Sequence, residues 1–495
     1  MTVRVRTAGT VHGVRAAPGR EPRGFPWLLL VAAAYLLVQL ALVLPRLHLG
    51  WDESVYVSQV DPRIPAAYFS APRSRGIGFL TAPVLAATGS VPVLRAWLAL
   101  LSAAALYGAF ALWRPLIGPV RCALAAALFA GLWTTQLYGS QAMPNLWVGI
   151  AAVAAVACLQ RAALGERRAP AGVFLAVAVA TLMRLSDGVW LALPLLAACL
   201  WHRPFRRPPL VAAVVGGLAA GALQWVVEAY VRWGGVLHRL DVSSATEGGM
   251  GLRWAGDALW RSLDGPLLCR PCTVTPPPLA ATLWWLALPP LLIAACLTAP
   301  AYRRTATWLP VLCAVGLSVP YLFTLPYAAP RFLLPAYALA ALPVAGLLTD
   351  IAVRARGRPG RGRRCLTLTV LCLLLGAHVG QQFAVFAHNL RGSERTTRRY
   401  LLAAAQLRKG GLHEPCLVTG TQAPPIGYAA RCASANLGGN NRSITLTALR
   451  ERTRREPVAV LVTEGSPAPS YARHWRPLTL PGTGLTAFLA PRTTP

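Results

Sequence analysis

The stretch PWLLLVAAAYLLVQLALVLPRLHLGWDESVY, residues 26–56, decides how the rest of the chain is read. From Pro26 to Pro45 it carries no charged side chain. A bilayer core about 30 Å thick needs about 20 apolar residues in helical form, so this run is long enough to cross. It is too long for a cleaved signal peptide, and no small-residue cleavage site precedes the segment that follows. Directly beyond it stand two adjacent carboxylates, Asp52 and Glu53. The stretch therefore joins a membrane span to acidic groups at its mouth.

The same apolar pattern recurs along the chain. Runs of the required length lie at about 25–45, 92–113, 121–139, 143–160, 171–186, 187–201, 209–230, 279–298, 306–325, 332–353 and 364–386. Two are short, 171–186 and 187–201, and hinge at Arg184-Leu-Ser-Asp187. Composition agrees: of 495 residues 55% are hydrophobic and only 13% charged, yet 48 Lys+Arg face 17 Asp+Glu for a formal charge of +31. Disorder is excluded by the apolar content. A nucleic-acid binder with this excess would be rich in charge and poor in long apolar runs, so no nucleic acid is expected. Only Lys409 is lysine, a bias of the coding sequence that gives Arg-for-Lys little meaning.

Orientation follows from where the arginines fall, since cytoplasmic loops carry the basic excess. With the N-terminus inside, the inner segments hold Arg4, Arg6, Arg15, Arg20 and Arg23, then Arg114 and Arg121, then Arg161, Arg167 and Arg168. They continue with Arg203, Arg206 and Arg207, Arg303 and Arg304, and the run from Arg354 through Arg358 to Arg364. The expected fold is thus an α-helical polytopic membrane protein of about 11 transmembrane helices, N-in and C-out, multi-pass in the cell membrane. Its parts are a basic cytoplasmic segment 1–24, a transmembrane domain 25–386 with outer loops 46–91 and 231–278, and a small α/β extracytoplasmic domain 387–495. In the first loop Gly78–Thr88 is apolar enough to lie along the membrane surface. The tail, which ends in further arginines including Arg492, shows a helical stretch Arg398–Arg408. Strand-like segments follow at Cys416–Gly420, Pro457–Thr463 and Leu478–Leu489.

Most of the 11 cysteines sit in apolar runs as small hydrophobes. Cys269 and Cys272 fall in the second outer loop, and Cys416 and Cys432 in the tail, where thiols oxidise; Cys269–Cys272 and Cys416–Cys432 are expected disulfides. A zinc knuckle would need two further ligands, and no His pair supplies them. A redox-active reading of Cys269-Arg-Pro-Cys272 lacks a thioredoxin-like setting, so a structural staple is preferred.

Ionisable and amide groups at the outer membrane face mark candidate site residues. Asp52 and Glu53 either cap a helix or serve a reaction; consecutive helical residues point about 100° apart, so one carboxylate faces the centre. Asp52 is assigned as the base that takes a proton from an acceptor hydroxyl, with Glu53 supporting and Tyr56 beside it. Arg73 and Arg75 flank a Pro and a Gly, a setting for clamping a phosphate as well as for solvated arginines. Gln141 and Asn145 cap a helix start or bind a sugar. Arg184 and Asp187 form an ion pair, or Arg184 meets an anion while Asp187 orients it. Arg331, near Tyr327, snorkels to headgroups or holds a lipid phosphate. Independently derived topology puts all of them on one face.

These residues carry a resemblance. Asp52-Glu53 in the first outer loop followed by Tyr56 resembles the GT-C superfamily of membrane glycosyltransferases, with protein O-mannosyltransferases and lipid A aminoarabinose transferases as the nearest branches. Arg331-Phe-Leu-Leu-Pro335 is similar to the Arg-Tyr-Leu-Leu-Pro stretch of these proteins, and Arg184-Leu-Ser-Asp187 to their Arg-Pro-x-Asp/Glu turn; the likeness covers residues 25–386. It implies a polyprenyl-phosphate sugar donor, a glycan, lipid or protein acceptor, and surrounding membrane lipid. It also implies Asp52 as catalytic carboxylate and Arg73, Arg75, Arg184 and Arg331 on the donor phosphate. The chain departs from the pattern at Asn145, where some relatives carry a carboxylate, and has only His238 to set against their site histidines. No metal or other cofactor is expected. The alternatives are a polytopic transporter or lipid-linked sugar flippase, for which no internal repeat is found, and a scaffold presenting the tail.

Overall fold

The computed structural model describes residues 26–357 and 360–491; the basic segment 1–24, Arg358 and Arg492 lie outside the described residues. Among the described residues seven helices are long and apolar enough to cross a membrane: Val91–Ala111, Pro144–Ala163, Pro208–Trp233, Leu279–Thr298, Ala301–Phe323, Pro330–Arg356 and Arg361–Lys409. The other four expected runs are shorter apolar helices, Trp27–Val43, Pro119–Ala130, Ala169–Met183 and Leu185–Trp201. Gly76–Ala87 forms where a surface helix was expected. The protein is a polytopic helical membrane protein with a small sheet domain.

Burial ranks the helices from centre to rim. In Pro144–Ala163 and Pro330–Arg356 83% of the apolar window is buried, against 17% in Leu279–Thr298 and 11% in Arg361–Lys409. The first two form the axis of the bundle and the last two present their side chains outward. Lipid is as apolar as leucine, so small residues that let backbones meet drive such packing. Gly217 and Gly221 do this against Ala169–Met183: a Cβ there would stand 2.6 Å from the Phe174 carbonyl oxygen and 2.4 Å from that of Ala178.

Two breaks shape the end of the bundle nearest Asp52. The run 121–139 stops at Ala130 and resumes as the short helix Trp133–Tyr138. Trp133 is held there by its backbone N–H on Gln382 Oε1 (2.9 Å) and its indole N–H on the Leu263 carbonyl (2.8 Å). Arg184 is extended (φ −150°, ψ 112°), ending Ala169–Met183 and starting Leu185–Trp201. The far end of the bundle is tied differently, by Asp350 accepting from Arg121 (2.9 Å) and Arg303 (2.6 Å).

Helix Arg361–Lys409 continues without interruption past residue 386 and into the sheet domain, where Tyr400, Ala403, Ala404 and Leu407 join the core. The sheet has β1 (Leu417–Gly420), β2 (Ala433–Ala435), β3 (Val458–Thr463), β4 (Arg476–Leu480) and β5 (Leu485–Leu489), in the order β2-β1-β3-β5-β4. β1 pairs in parallel with β2 and β3, while β5 runs antiparallel to β3 and β4. The final strand-like segment is therefore a hairpin. Both expected disulfides form, Cys269–Cys272 and Cys416–Cys432, the second joining the start of β1 to the end of helix Ala423–Ala430. That helix packs on the short helix Trp51–Val57, and the Tyr428 hydroxyl donates to Asp61 Oδ2 at 2.8 Å.

Candidate active site

The two carboxylates of the first loop divide the roles that the sequence left open between them. Helix Trp51–Val57 starts after an extended Gly50, and Glu53 Oε2 accepts the Gly50 N–H at 3.0 Å, capping it. Glu53 is buried and fully engaged. Arg95, with no exposed surface, grips it at 2.5 and 2.7 Å, and the Ala142 N–H adds a bond of 2.7 Å. Arg95 also donates to the carbonyls of Ser140 (2.8 Å) and His48 (2.9 Å). This pair fastens the first loop to helix Val91–Ala111 and to the turn after Trp133–Tyr138, and keeps Glu53 out of the reaction space.

Asp52, the next side chain round the helix, points the other way. Its Oδ1 accepts from Arg73 at 2.6 Å and its Oδ2 from Arg331 at 2.9 Å. Burial alone would raise the Asp52 pKa, but Arg73 and Arg331, with the charge of Arg184 behind them, hold the carboxyl below its ordinary value. Arg73 is steered by its Nε–H to Ser70 Oγ (3.2 Å) and by the rings of Trp51 and Tyr56, 5.7 and 5.0 Å away. Arg331 lies in the 3-10 turn Pro330–Leu333, donates to the Leu267 carbonyl at 3.0 Å, and stands 5.9 Å from the Tyr138 ring; its buried Nε has no hydrogen-bond partner.

Arg184 stands on the third side. Its guanidinium is 5.7 Å from the rings of both Tyr321 and Phe332, which stack on each other, and its Nε is 3.4 Å from Asp187 Oδ2. Asp187 is fully buried and takes the Tyr321 hydroxyl at 2.5 Å. Tyr327 packs edge-on to Phe332, donates its hydroxyl to Glu247, and has Arg270 4.6 Å above its ring. Asp52, Arg73, Arg184 and Arg331 thus converge, with Tyr56, Asp187 and Tyr327 around them. Three cations are gathered there with Asp52 and Asp187, and Glu247 stands behind Tyr327.

The remaining candidates lie elsewhere. Arg75 turns away from Asp52 to Glu228, at 2.6 and 2.9 Å, with its guanidinium 4.5 Å from the Phe69 ring. Gln141 is buried and donates to the Leu137 carbonyl within its own turn (2.9 Å). Asn145 is 1% exposed, and neither atom of its amide has a partner. Arg95, Tyr138, Glu228, Arg239, Glu247 and Tyr321 were not singled out from sequence. For Arg95 and Glu228 a signal existed, since each is a charge inside an apolar run. Among the described residues no group of three or more His, Cys, Asp or Glu side chains is placed to hold a metal ion.

Gly76 sets Arg73 and Arg184 against each other. A Cβ on it would meet the Leu182 carbonyl oxygen at 2.5 Å and Met183 Cα at 2.8 Å, so the loop lies directly on the backbone that precedes Arg184. Both obstacles are main chain and cannot swing aside. Gly76→Ala is expected to cost about 1–3 kcal/mol in thermal unfolding and to separate the two guanidiniums; unchanged stability would remove Gly76 from this role.

No family model matches the chain, and no curated protein matches it in sequence. The fold is shared with solved structures of ArnT and of an archaeal oligosaccharyltransferase. In particular, the chain is similar to ArnT from Cupriavidus metallidurans bound to undecaprenyl phosphate, at 14% identity and a TM-score of 0.67 over 94% of this chain and 98% of that one. It is also similar to the Archaeoglobus fulgidus oligosaccharyltransferase tethered with an acceptor peptide, at 12% identity and a TM-score of 0.52 over 89% of this chain and 69% of that one. AglB from the same organism, in complex with an inhibitory peptide and a dolichol-phosphate, gives 12% identity and a TM-score of 0.50 over 82% of this chain and 64% of that one. At these identities the likeness is one of architecture.

Proposed function

We propose that the protein is an integral-membrane glycosyltransferase. It moves a sugar, hexosyl or pentosyl, from a polyprenyl-phosphate donor to a glycan, lipid or protein acceptor on the extracytoplasmic face. The observation that carries this reading is the Asp52 carboxylate held between Arg73 and Arg331 with Arg184 behind. A carboxylate that must accept a proton and cations that must receive a phosphate are the two charge requirements of displacement at an anomeric carbon. The fold shared with proteins solved with undecaprenyl phosphate or dolichol-phosphate supports a lipid-linked donor. The arginines of the opposite loops support an extracytoplasmic site.

The ion pairs define an order of events. With no donor, Asp52 satisfies Arg73 and Arg331 and is a weak base. A donor phosphate competes for the same guanidiniums and matches their forked geometry better than a single carboxylate shared between two. As it takes them, Asp52 oxygens are released and their basicity rises. The acceptor oxygen then bonds to the anomeric carbon on the face opposite the phosphate. The sugar–phosphate C–O bond breaks, the electron pair leaves with the polyprenyl phosphate, and the hydroxyl proton passes to Asp52. The anomeric centre inverts. Arginine does not give up its proton, so the three cations neutralise the leaving group and do not protonate it.

The test is to add radiolabelled polyprenyl-phosphate hexose and pentose to membranes with and without the protein and follow the label. Transfer to a product that depends on the protein is expected. Movement of intact labelled lipid across vesicles with no glycosyl product would overturn the reading in favour of a flippase.

A further inference from the structure

Arg239, like Arg95, has no exposed surface, and it lies in the expected second outer loop, on helix Val236–Thr246. Its guanidinium donates to three main-chain carbonyls: Ala71 at 3.0 Å, Arg73 at 3.1 Å and Trp225 at 2.7 Å. It lies 4.2 Å from the Trp225 ring and meets Glu228 Oε2 at 3.2 Å. Glu228 in turn holds Arg75, and Gln224 donates to it at 3.2 Å. The backbone on either side of Pro72 is therefore clamped at both ends, at the residue whose side chain meets Asp52.

We propose that Arg239 and Glu228 are positioning residues of the transfer site: they fix the Ala71–Arg73 backbone so that the Arg73 guanidinium reaches Asp52 and, in the donor complex, the phosphate. The assignment rests on the glycosyltransferase reading. Its physical basis is the number of carbonyls held. Proline at position 72 has no N–H, so this stretch has fewer main-chain donors with which to anchor itself. A planar fork with five N–H groups can span carbonyls two residues apart, which an ammonium cannot do in one fixed geometry. Glu228 supplies the charge that lets a guanidinium stay buried there. The arrangement also accounts for Arg75, two residues on: its charge is spent on Glu228 and not on the ligand.

The test compares Arg239→Met, Arg239→Lys and Glu228→Gln with the wild-type protein in nanodiscs. Measured are kcat and KM for the labelled donor, the pH profile of transfer, affinity for undecaprenyl phosphate, and the melting temperature. Arg239→Met is expected to lower kcat/KM by about 10- to 100-fold, the usual cost of a displaced site group. It should also move the acid limb of the kcat/KM profile upward. Asp52 faces Arg73, Arg331 and Arg184, with Tyr56 on its own helix and Tyr138 and Tyr327 beyond, while Glu53 is taken by Arg95. Withdrawing Arg73 removes one of three neighbouring cations, so Asp52 protonates at higher pH. Arg239→Lys should restore part of the rate, and Glu228→Gln should shift the limb in the same direction by less.

A merely structural residue would lower the melting temperature and leave the rate and profile of the folded fraction alone; that result overturns the proposal. If Arg239→Met does not fold, the other two variants decide by the same limb. Failure of the function itself is separate: it would appear as no transfer by the wild type, or full transfer by Asp52→Asn, before any Arg239 variant is compared.

Discussion

Asp52→Asn is expected to lower transfer by about 10²- to 10⁴-fold, the range over which a positioned general base acts, while the protein stays folded in the membrane. The same variant should bind undecaprenyl phosphate as tightly as wild type or more tightly. Asn keeps the shape and one acceptor oxygen but no longer competes with phosphate for Arg73 and Arg331. Loss of rate without loss of donor affinity is the signature of a base that is also a placeholder. Full activity in the variant would sink the assigned chemistry, and parallel loss of rate and affinity would make Asp52 a binding group only.

The pH dependence follows from the same pairs. In the free protein the Asp52 pKa is below its ordinary value, so the carboxylate survives as pH falls through the usual aspartate range and is lost only below it. The acid limb of kcat/KM, which reports the free protein, should lie there. Once the phosphate has drawn the arginines away, the depression is relieved. The acid limb of kcat, which reports the donor complex, should therefore stand at higher pH.

Arg95→Met is expected to have the largest effect on stability. Both members of the Arg95–Glu53 pair are shielded from solvent. Removing one partner of a buried pair typically costs about 3–5 kcal/mol because the other charge is left uncompensated. Here the loss also frees the carbonyls of Ser140 and His48. Thermal unfolding in detergent should show it, and adding Glu53→Gln to Arg95→Met should recover part of the deficit. A single variant as stable as wild type would mean that the clamp is not what holds the first loop.

What sequence revealed, and what it withheld, divides along physical lines. The apolar runs became helices because a long apolar stretch has few ways to satisfy its backbone in lipid, though the run 121–139 broke into two. The cystines were readable because only four cysteines stand outside the apolar runs in oxidising loops. Asp52, Arg184 and Arg331 were readable because charge beside lipid needs a reason. The choice between Arg73 and Arg75 was not. They are two apart in one loop with equal credentials, and what sends one to Asp52 is Arg239, 166 residues further on. The role of Glu53 was hidden in the same way by Arg95, 42 residues away, since a charge inside an apolar run does not say which carboxylate it meets. β2 has three residues, too few for any alternation to show. The turn Pro481-Gly482-Thr483-Gly484 did carry a hairpin signal inside Leu478–Leu489.

Helix Arg361–Lys409 has a consequence for how this chain tolerates change. At 49 residues it is a rod about 70 Å long, rising about 1.5 Å and turning about 100° per residue. One end is embedded in the sheet domain, and that domain in turn touches the segment just after the helix carrying Asp52, through Tyr428 and Asp61. Height and azimuth of the domain are therefore locked to the phase of a single screw. Deleting one residue from its lipid-facing middle would leave every contact of the sheet intact, yet swing the whole unit by more than a quarter turn off its seat. A change by whole turns restores the azimuth but displaces the domain along the axis by about 5.4 Å per turn, so a bond as short as that of Tyr428 to Asp61 tolerates neither kind of change.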